Sequence, residues 1–367
     1  MESIHVLDLS RVLAGPLCTM MLGDLGAKVI KVERPGTGDE TRRWGPPFDE
    51  RGESAYYLSV NRNKKSLTAD LDQPADRHLI LELIASADVV VDNFLPGALR
   101  KRGIDRSSVI RSNPRLIWCT ITGFGDEVPR SGYDLVVQAE SGWMSITGDP
   151  DAPPTRVGVA LADIIAGKDA AIAILAALAA RGNGDGELSP AERRIDISLI
   201  RSATAALINV AQNSLLTGQE AKRWGNQHPN LVPYQLFDTA DDPIVLAVGT
   251  DAHWHAAMIA LGLVDLGQDV ELSTNSGRLN ARDRIIDSIA HRLRERPADE
   301  WVKILSAAQV PCGRVKTVLE ALESVSASPL TGIEPSVPGK VRMPPPRLGE
   351  HDEQIRRLGW KAFDRRP

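Results

Sequence analysis

The stretch IHVLDLSRVLAGPLCTMMLGDLGAKVIKVERPG, residues 4–36, decides the fold. Its first seven residues have the apolar and polar alternation of a β-strand. The segment GPLCTMMLGDLG, residues 15–26, has helical spacing with a glycine at each end. The remainder, AKVIKVERPG, is typical of a second strand that stops at Pro-Gly. The stretch therefore predicts a β-α-β unit.

Further strands and helices alternate after this unit. A helical segment at about residues 74–86 is followed by ADVVVDNF (87–94), and a short helix precedes PRLIWCTITGF (114–124). Strands made of near-continuous valine and isoleucine are typical of a parallel sheet covered on both faces. We expect an open, Rossmann-like α/β sheet that binds its ligand at the carboxyl ends of the strands. No GxGxxG motif follows the first strand, which disfavours a nicotinamide or flavin cofactor.

The chain is expected to divide into two domains. Residues 1–216 carry the strand and helix alternation of the large domain. Residues 217–243 are polar, with scattered proline, asparagine and histidine, and are predicted to be a linker. Residues 244–334 are expected to form a smaller α+β domain.

Composition limits the class of protein. The 367 residues are 43% hydrophobic and carry a net charge of −5, which argues against general nucleic-acid binding. No apolar run is long enough to cross a membrane, and the amino terminus lacks the pattern of a secretory signal, so a cytoplasmic protein is expected. The three cysteines are far apart and show no CxxC spacing, which favours reduced thiols over a disulfide frame or a metal site.

Basic residues are concentrated in two places despite the negative net charge. One cluster consists of Arg34, Arg42, Arg43, Arg51, Arg62, Lys64 and Lys65, and the other of Arg100, Lys101 and Arg102. Such clusters are suited to a small polyanion, but they are equally compatible with a solvated basic surface. The residues alone leave both interpretations open.

A carboxylate lies at the strand-to-helix junction of RVGVALADIIAGKDAAIAILAALAAR, residues 156–181. On this stretch alone, Asp163 is best explained as a helix cap, because aspartate is favoured at helix starts. Asp169 lies about 240° around the helix and about 9 Å along it, so the two carboxylates cannot act together on one face. Another carboxylate, Glu140, could orient a substrate or be structural.

Five segments resemble the class III CoA-transferase family, which includes formyl-CoA and carnitine CoA-transferases. They are RVLAGPLCTMMLGDLGAKVIKVERPGTGDETRRWGP, YYLSVNRNKKSLTADL, VVVDNFLPGALRKRGI, GYDLVVQAESGWMSITG and the stretch around Asp163. The resemblance runs in order from residue 4 to about residue 216 and resumes in VPCGRV and PRLGEH. It implies transfer of coenzyme A from an acyl-CoA donor to a carboxylic acid acceptor, with no metal.

The resemblance also implies that Asp163 is the nucleophile. The family pattern G-x-x-x-x-D-x-x-x-G matches Gly158 to Gly167. A carboxylate that attacks a thioester forms an anhydride and releases the CoA thiolate. The returning thiolate then forms an aspartyl-CoA thioester that an acceptor can attack. Nucleophile and helix start are compatible roles, because backbone N–H groups there stabilise an oxyanion.

By position in the family motifs, several residues are expected to contact CoA. They are Leu13, Ala14, Arg34, Asn93, Phe94, Lys101, Tyr133 and Asp134. Phe94 is a candidate for stacking on the adenine ring. Formyl-CoA transferases have arginine where Lys101 stands.

Tyr133 distinguishes two branches of the family. The related acyl-CoA racemases carry GHD where this chain has GYD, and tyrosine titrates near about pH 10, too high for a base at neutral pH. A transferase is therefore favoured over a racemase or isomerase of acyl-CoA esters. A non-catalytic acyl-CoA binding protein is a third alternative, disfavoured because Asp163 and both glycines of its motif remain. Residues 217–250 contain no counterpart of the glycine run that closes over the active aspartate in formyl-CoA transferases, which leaves open how intermediates are shielded and which acyl groups are accepted. The family fold implies an interlocked homodimer in which the tail 335–367 joins the large domain.

Overall fold

The computed structural model describes residues 1–182, 188–323 and 340–364. They form two compact units. The first contains Met1–Met144, Arg156–Gln219 and the described carboxy-terminal residues from 340 onward. The second contains Ser145–Thr155 and the described residues from Glu220 to residue 323.

The first unit is built on a six-stranded, fully parallel sheet. Its strands are β1 (His5–Asp8), β2 (Lys28–Glu33), β3 (Lys64–Thr68), β4 (Val89–Asp92), β5 (Ile117–Thr122) and β6 (Arg194–Ser198). The order is β3-β2-β1-β4-β5-β6, so the direction of winding reverses between β1 and β4. This arrangement is the doubly wound α/β order, and it confirms the predicted open parallel sheet.

Helices cover the sheet and fill the second unit. In chain order they are α1 (Ala14–Asp24), α2 (Ala55–Ser59), α3 (Pro74–Ala85), α4 (Ala98–Lys101), α5 (Arg106–Ser112), α6 (Asp134–Glu140), α7 (Trp143–Ile146), α8 (Leu161–Gly182), α9 (Leu199–Ala205), α10 (Ile208–Thr217), α11 (Asp251–Leu261), α12 (Val264–Gln268), α13 (Asn275–Asn280), α14 (Arg282–Leu293), α15 (Ala298–Ala307), α16 (Val318–Glu323) and α17 (Asp352–Leu358). Short 3₁₀ turns lie at Glu40–Arg43, Val270–Leu272 and Gly359–Phe363.

The sheet is buried on both faces because alternate residues of its strands enter two separate apolar clusters. Val6 faces the cluster that contains α1 and α8, whereas Leu7 faces the one that contains α3. All four residues of β4 are buried, as a central parallel strand requires. The near-continuous apolar runs of the sequence therefore mark strands that are covered from both sides.

The second unit contains a three-stranded antiparallel sheet, as expected for a smaller α+β domain. Its strands, in the order β7-β8-β9, are β7 (Tyr234–Phe237), β8 (Ile244–Ala247) and β9 (Cys312–Arg314). The first of these strands lies inside the segment 217–243, which the sequence predicts to be a linker. Its alternation is concealed because a polar residue, Gln235, occupies one of the buried positions.

The carboxy-terminal segment contributes to the first unit. The Arg342 guanidinium donates hydrogen bonds to the carbonyl oxygens of Gly23, Gly26 and Ala27. The side chains of Ile355 and Trp360 belong to the apolar cluster around Leu7. Residues 324–339 and 365–367, which include parts of the predicted small domain and tail, lie outside the described residues. Across the described part of the chain, none of the helices combines the length and the apolar character that a membrane span needs.

Candidate active site

Two neighbouring cavities lie at the carboxyl ends of the strands, where the strand order reverses. The first has a volume of about 440 Å³ and is lined by residues that follow β1, β2, β3 and β4. The second, of about 180 Å³, is lined by residues that follow β1, β4 and β5, by the first residue of α9, and by Asp163. The cavities share Arg11, Glu40, Phe94 and Leu95. A ligand that fills the first cavity can therefore extend to Asp163.

Close packing of α8 on α1 brings Asp163 to the second cavity. A Cβ on Gly167 would lie 2.6 Å from the carbonyl oxygen of Ala14, so only glycine allows this approach. By contrast, a Cβ on Gly158 would meet nothing within 4 Å. Packing thus explains the second glycine of the motif around Asp163 and leaves the first without a steric role.

The Asp163 carboxyl group has a strongly altered affinity for protons. Burial raises its pKa from 3.8 to about 7, and the nearby charge of Asp134 acts in the same direction. Interaction with the backbone N–H of Ala14, the first residue of α1, has the opposite effect. At neutral pH a large fraction of Asp163 is ionised but poorly solvated, which suits a nucleophile.

Asp134, rather than Asp163, holds the start of α8. Its carboxylate accepts hydrogen bonds from the backbone N–H of Ala162 at 2.9 Å and from Nε2 of Gln138 at 2.6 Å. The same Gln138 accepts from the backbone N–H of Val157 at 2.8 Å. The explanation of Asp163 as a cap, favoured on the isolated stretch, is therefore wrong, and its carboxylate is left available to the cavity.

The two other carboxylates singled out by the sequence are engaged elsewhere. Ser202 Oγ donates to Asp169 at 2.7 Å, which gives Asp169 a structural contact. Glu140 pairs with Arg130, whose guanidinium lies over the ring of Phe124 with its carbon 4.2 Å from the ring centroid. Arg130 lines the second cavity, so Glu140 acts on the site through this arginine.

Tyr56 is a neighbour of Asp163 that sequence reasoning missed. Burial raises the pKa of Tyr56 to about 12, with further contributions from the charges of Asp163 and Asp134. Its ring packs edge-on against Trp44, with ring centroids 5.1 Å apart. The segment YYLS gave no signal of its own, because a tyrosine in a short helix is ordinarily a packing residue.

The basic cluster at residues 34–65 is divided between the ligand cavity and the protein interior. Arg34 and Arg43 line the first cavity, are exposed, and pair with no carboxylate among the described residues. The five other basic side chains contact partners within the protein: Arg42 with Glu33 and Glu53, Arg51 with Asp49, Arg62 with Asp24, Lys64 with Asp8 and Lys65 with Gln354. Two arginines thus remain for the phosphate groups of a ligand.

Four of the residues predicted to contact CoA lie at the cavities in addition to Arg34. Phe94 lines both cavities, and Ala14, Asn93 and Tyr133 line the second. The side-chain amide of Asn93 also forms two hydrogen bonds with the backbone of Arg11: it accepts from the N–H at 3.0 Å and donates to the carbonyl oxygen at 2.7 Å.

The remaining predicted contacts are placed differently. Leu13 packs against the apolar cluster of α1, and the Asp134 carboxylate is used on Ala162 and Gln138. Lys101 is exposed and is absent from the described lining of either cavity, whereas its neighbour Arg102 lines the first. Successive residues of a helical turn point about 100° apart around its axis, so a shift of one residue, from Lys101 at the end of α4 to Arg102 directly after it, changes which side chain faces the ligand.

Arg11 is the most prominent lining residue that the sequence analysis missed. It follows β1 directly, lines both cavities and lies over the ring of Phe94, with its guanidinium carbon 5.9 Å from the ring centroid. Its position was the available signal, since the first charged residue after β1 at a reversal of strand order faces the ligand crevice.

Comparison with known proteins identifies the family to which this chain is similar. The sequence profile described as CoA-transferase family III matches residues 1–330. Succinyl-CoA:glutarate CoA-transferase of Mus musculus is 39% identical over 97% of this chain and 85% of its own length. Succinate–glutarate CoA-transferase of Agrobacterium fabrum is 37% identical over 97% of this chain and 94% of its own.

A solved structure has the same fold. The crystal structure of a CAIB/BAIF family protein from Brucella suis superposes with a TM-score of 0.83 at 37% identity. The match covers 96% of this chain and 97% of that one.

Proposed function

Because the chain belongs to the class III CoA-transferase family and is a CoA-transferase, we propose that it transfers CoA through covalent intermediates on Asp163. The observation that carries this proposal is the partly buried Asp163 carboxylate in the second cavity, with its pKa raised to about 7. Burial limits the water that would hydrolyse the intermediates, and the backbone N–H of Ala14 favours the ionised form that attacks.

The reaction begins when an oxygen of Asp163 attacks the thioester carbonyl carbon. The C–S bond breaks, an acyl-aspartyl anhydride forms, and CoA leaves as its thiolate. The thiolate then attacks the Asp163 carbonyl carbon, which releases the donor acid and leaves an aspartyl-CoA thioester. The acceptor carboxylate repeats these two steps in reverse order, which yields the new acyl-CoA and restores Asp163.

The first cavity is suited to the nucleotide end of CoA. Arg34 and Arg43 supply positive charge for its phosphates, and Phe94 supplies an aromatic face for its adenine. The side chains that line this cavity therefore fit the ligand that the reaction requires. The pantetheine arm would pass Arg11 to bring the thioester to Asp163.

Dicarboxylic acids are the proposed acyl groups. Two arginines, Arg11 and Arg130, line the small cavity that contains Asp163, and each already has one carboxylate partner, Glu40 and Glu140. The relatives from Mus musculus and Agrobacterium fabrum are named for succinate or succinyl-CoA and glutarate. Succinyl-CoA with glutarate is therefore the first pair to test.

A homodimer is also proposed. Three apolar residues of α10 are strongly exposed in the single chain, with Ile208, Leu215 and Leu216 at 73%, 79% and 80%. Such exposure favours burial against another surface. Light scattering after size exclusion should give twice the mass of the chain, and a monomer mass would remove this part of the proposal.

Trapping tests the covalent mechanism. The protein is incubated with succinyl-CoA, treated with hydroxylamine, digested and analysed by mass spectrometry. We expect a hydroxamate on the peptide that contains Asp163, together with formation of glutaryl-CoA when glutarate is present. Exchange of the α-proton of the acyl-CoA without modification of Asp163 would instead establish a racemase, and binding with neither outcome a binding protein.

A further inference from the structure

Three consecutive residues of the loop between β1 and α1 each have backbone groups that are hydrogen-bonded to side chains. The backbone N–H of Ser10 donates to Asp8 at 3.0 Å, and its carbonyl accepts from Lys31 Nζ at 3.0 Å. Both backbone groups of Arg11 are bound by Asn93. The backbone N–H of Val12 donates to both carboxylate oxygens of Asp39, at 3.3 and 3.2 Å. The loop conformation is therefore imposed by side chains from β1 and β2 and from the segments that follow β2 and β4.

Val12 is the strained point of this loop. Its φ is +70°, in the left-handed region, which a β-branched side chain adopts only when its surroundings force it to. The Asp39 carboxylate contributes to that restraint, because it holds the N–H edge of the Arg11–Val12 peptide group while Asn93 holds the carbonyl edge. One residue separates Val12 from Ala14, which lines the second cavity together with Asp163 and whose carbonyl lies against α8 at Gly167. The backbone N–H of Ala14 also favours the ionised form of Asp163.

Asp39 lies at the wall of the first cavity and is itself held by several partners. Its side chain is fully buried and accepts from Lys31 Nζ at 2.9 Å. It also accepts from the backbone N–H and Oγ1 of Thr41, at 3.0 and 2.8 Å. These bonds fix the carboxylate independently of Val12, so the loop is shaped by Asp39 and not the reverse.

We propose that Asp39 is a positioning residue for the transferase reaction: by holding Val12 in its left-handed conformation, it directs the Ala14 N–H at the Asp163 carboxylate. This inference rests on the proposed function, in which ionised Asp163 attacks the thioester. With Asp39 altered, Val12 relaxes to negative φ, the Ala14 N–H turns away, and Asp163 binds its proton more tightly.

A cycle of variants separates positioning from a general structural role. Asp39→Asn is expected to lower kcat 10- to 100-fold, with less than a threefold change in KM for CoA esters. The acid limb of the pH profile of kcat/KM should move to higher pH. Other charged or titratable groups at Asp163 are unchanged in this variant: Asp134 and Tyr56 act on it, and Arg11, Glu40, Arg130 and Tyr133 line its cavity.

The effect of Asp39→Asn is then measured in a Val12→Gly protein, since glycine adopts positive φ without restraint. On that background, Asp39→Asn is expected to cost less than fivefold in kcat, measured relative to Val12→Gly alone. An equal loss from Asp39→Asn on both backgrounds would overturn the proposal, because independent effects multiply. A loss confined to KM would also overturn it, and would make Asp39 part of the CoA cavity only.

Two further measurements keep the test decisive. If Asp39→Asn does not fold, Asp39→Glu retains the charge facing Lys31 while displacing the contact with Val12, and the same rescue by Val12→Gly is required. Thr41→Val is the matched control: it removes only the hydroxyl contact to Asp39, while Lys31 and the backbone N–H of residue 41 still hold the carboxylate, so kcat should stay within twofold.

Amide hydrogen exchange at Ala14 needs no turnover. It should accelerate at least tenfold in Asp39→Asn and recover in the double variant, whereas unchanged exchange would contradict the inference. If the wild type forms no adduct on Asp163, the proposed function fails, while the exchange result still decides whether Asp39 positions the loop.

Discussion

The interior beneath the first cavity and the wall of the second cavity treat buried carboxylates in opposite ways. Burial opposes ionisation of Asp8, yet Lys64 and Lys31 hold the pKa of Asp8 down to about 2. Burial also acts against Asp39, and Lys31 keeps its pKa below the usual value. Asp163 is balanced by no cation among the described residues, and its pKa rises to about 7.

This difference distinguishes carboxylates that stabilise the fold from the carboxylate that reacts. A carboxylate paired with a buried lysine is ionised over the whole physiological range and stabilises a loop or strand end. A carboxylate that lacks such a cation is less stable as an anion and therefore gains more by bonding to an electrophilic carbon. The protein thus pairs the carboxylates beneath the first cavity with buried lysines, whereas none of the described basic side chains forms an ion pair with Asp163.

Asp163→Asn is expected to have the largest effect on activity. Removing the nucleophile is expected to lower kcat by at least about 10³-fold, because the anhydride cannot form. The same change should stabilise the fold. A raised pKa means that the folded state retains the proton longer than the unfolded chain, so wild-type stability falls as pH rises from about 4 to about 7.

Asparagine removes that effect, so the variant should be more stable by up to about 4 kcal/mol at pH 8 and equal to the wild type near pH 3. Urea unfolding at both pH values measures this difference, and a less stable variant at pH 8 would show that Asp163 is part of the scaffold.

Asp8→Asn tests the structural carboxylate of this comparison. Lys64 is fully buried, burial lowers its pKa to about 8 despite Asp8, and its Nζ lies 3.0 Å from the Asp8 carboxylate. Removing one partner leaves an uncompensated charge and is expected to cost about 3–5 kcal/mol in the free energy of unfolding. Asp364→Asn, which breaks the exposed pair with Lys28, should cost less than about 1 kcal/mol and is the control.

Gly167→Ala should disturb the packing that brings Asp163 to the cavity. The new methyl group would lie 2.6 Å from the Ala14 carbonyl oxygen, so α8 must move away from α1. We expect a loss of about 1–3 kcal/mol in stability and a lower kcat. Gly158→Ala, with open space at its Cβ, should change neither by much, and similar losses in both variants would refute a packing role specific to Gly167.

The sequence predicted the sheet well because its strands are nearly continuous apolar runs, as in β4. The motif around Asp163 also located the candidate nucleophile. The side-chain contacts between residues far apart in the sequence could not be predicted. Nothing in the sequence assigns Lys64 to Asp8, or the amide of Asn93 to the backbone of Arg11.

Local patterns also misled at single residues. The sequence around Asp163 favours a helix cap, but α8 begins two residues earlier, at Leu161, and the hydrogen bond to Ala162 comes from Asp134, which lies 28 residues earlier. A cap supplied from another helix leaves no mark within the capped segment. The same limit applies to β7, where the buried position of Gln235 conceals the strand.

Asp134→Asn should move the pH dependence without removing the cap, since an amide oxygen can still accept from Ala162. Loss of the nearby negative charge favours the ionised form of Asp163 and lowers its pKa from about 7. The acid limb of kcat/KM is therefore expected to shift to lower pH, by up to about one unit. A shift to higher pH would indicate that the contact with Ala162 matters more than the charge.

The smallest expected effect compares two neighbouring basic residues of α4 and the turn that follows it. Arg102 lines the first cavity and pairs with Asp72 at 3.0 Å, whereas Lys101 is exposed. Because one charge near a phosphate contributes about 1 kcal/mol when partly solvated, Arg102→Ala should raise KM for CoA esters about three- to tenfold with kcat unchanged. Lys101→Ala should change KM less than twofold. The reverse order would restore the family-based assignment of Lys101 and would mean that Arg102 serves only to hold Asp72.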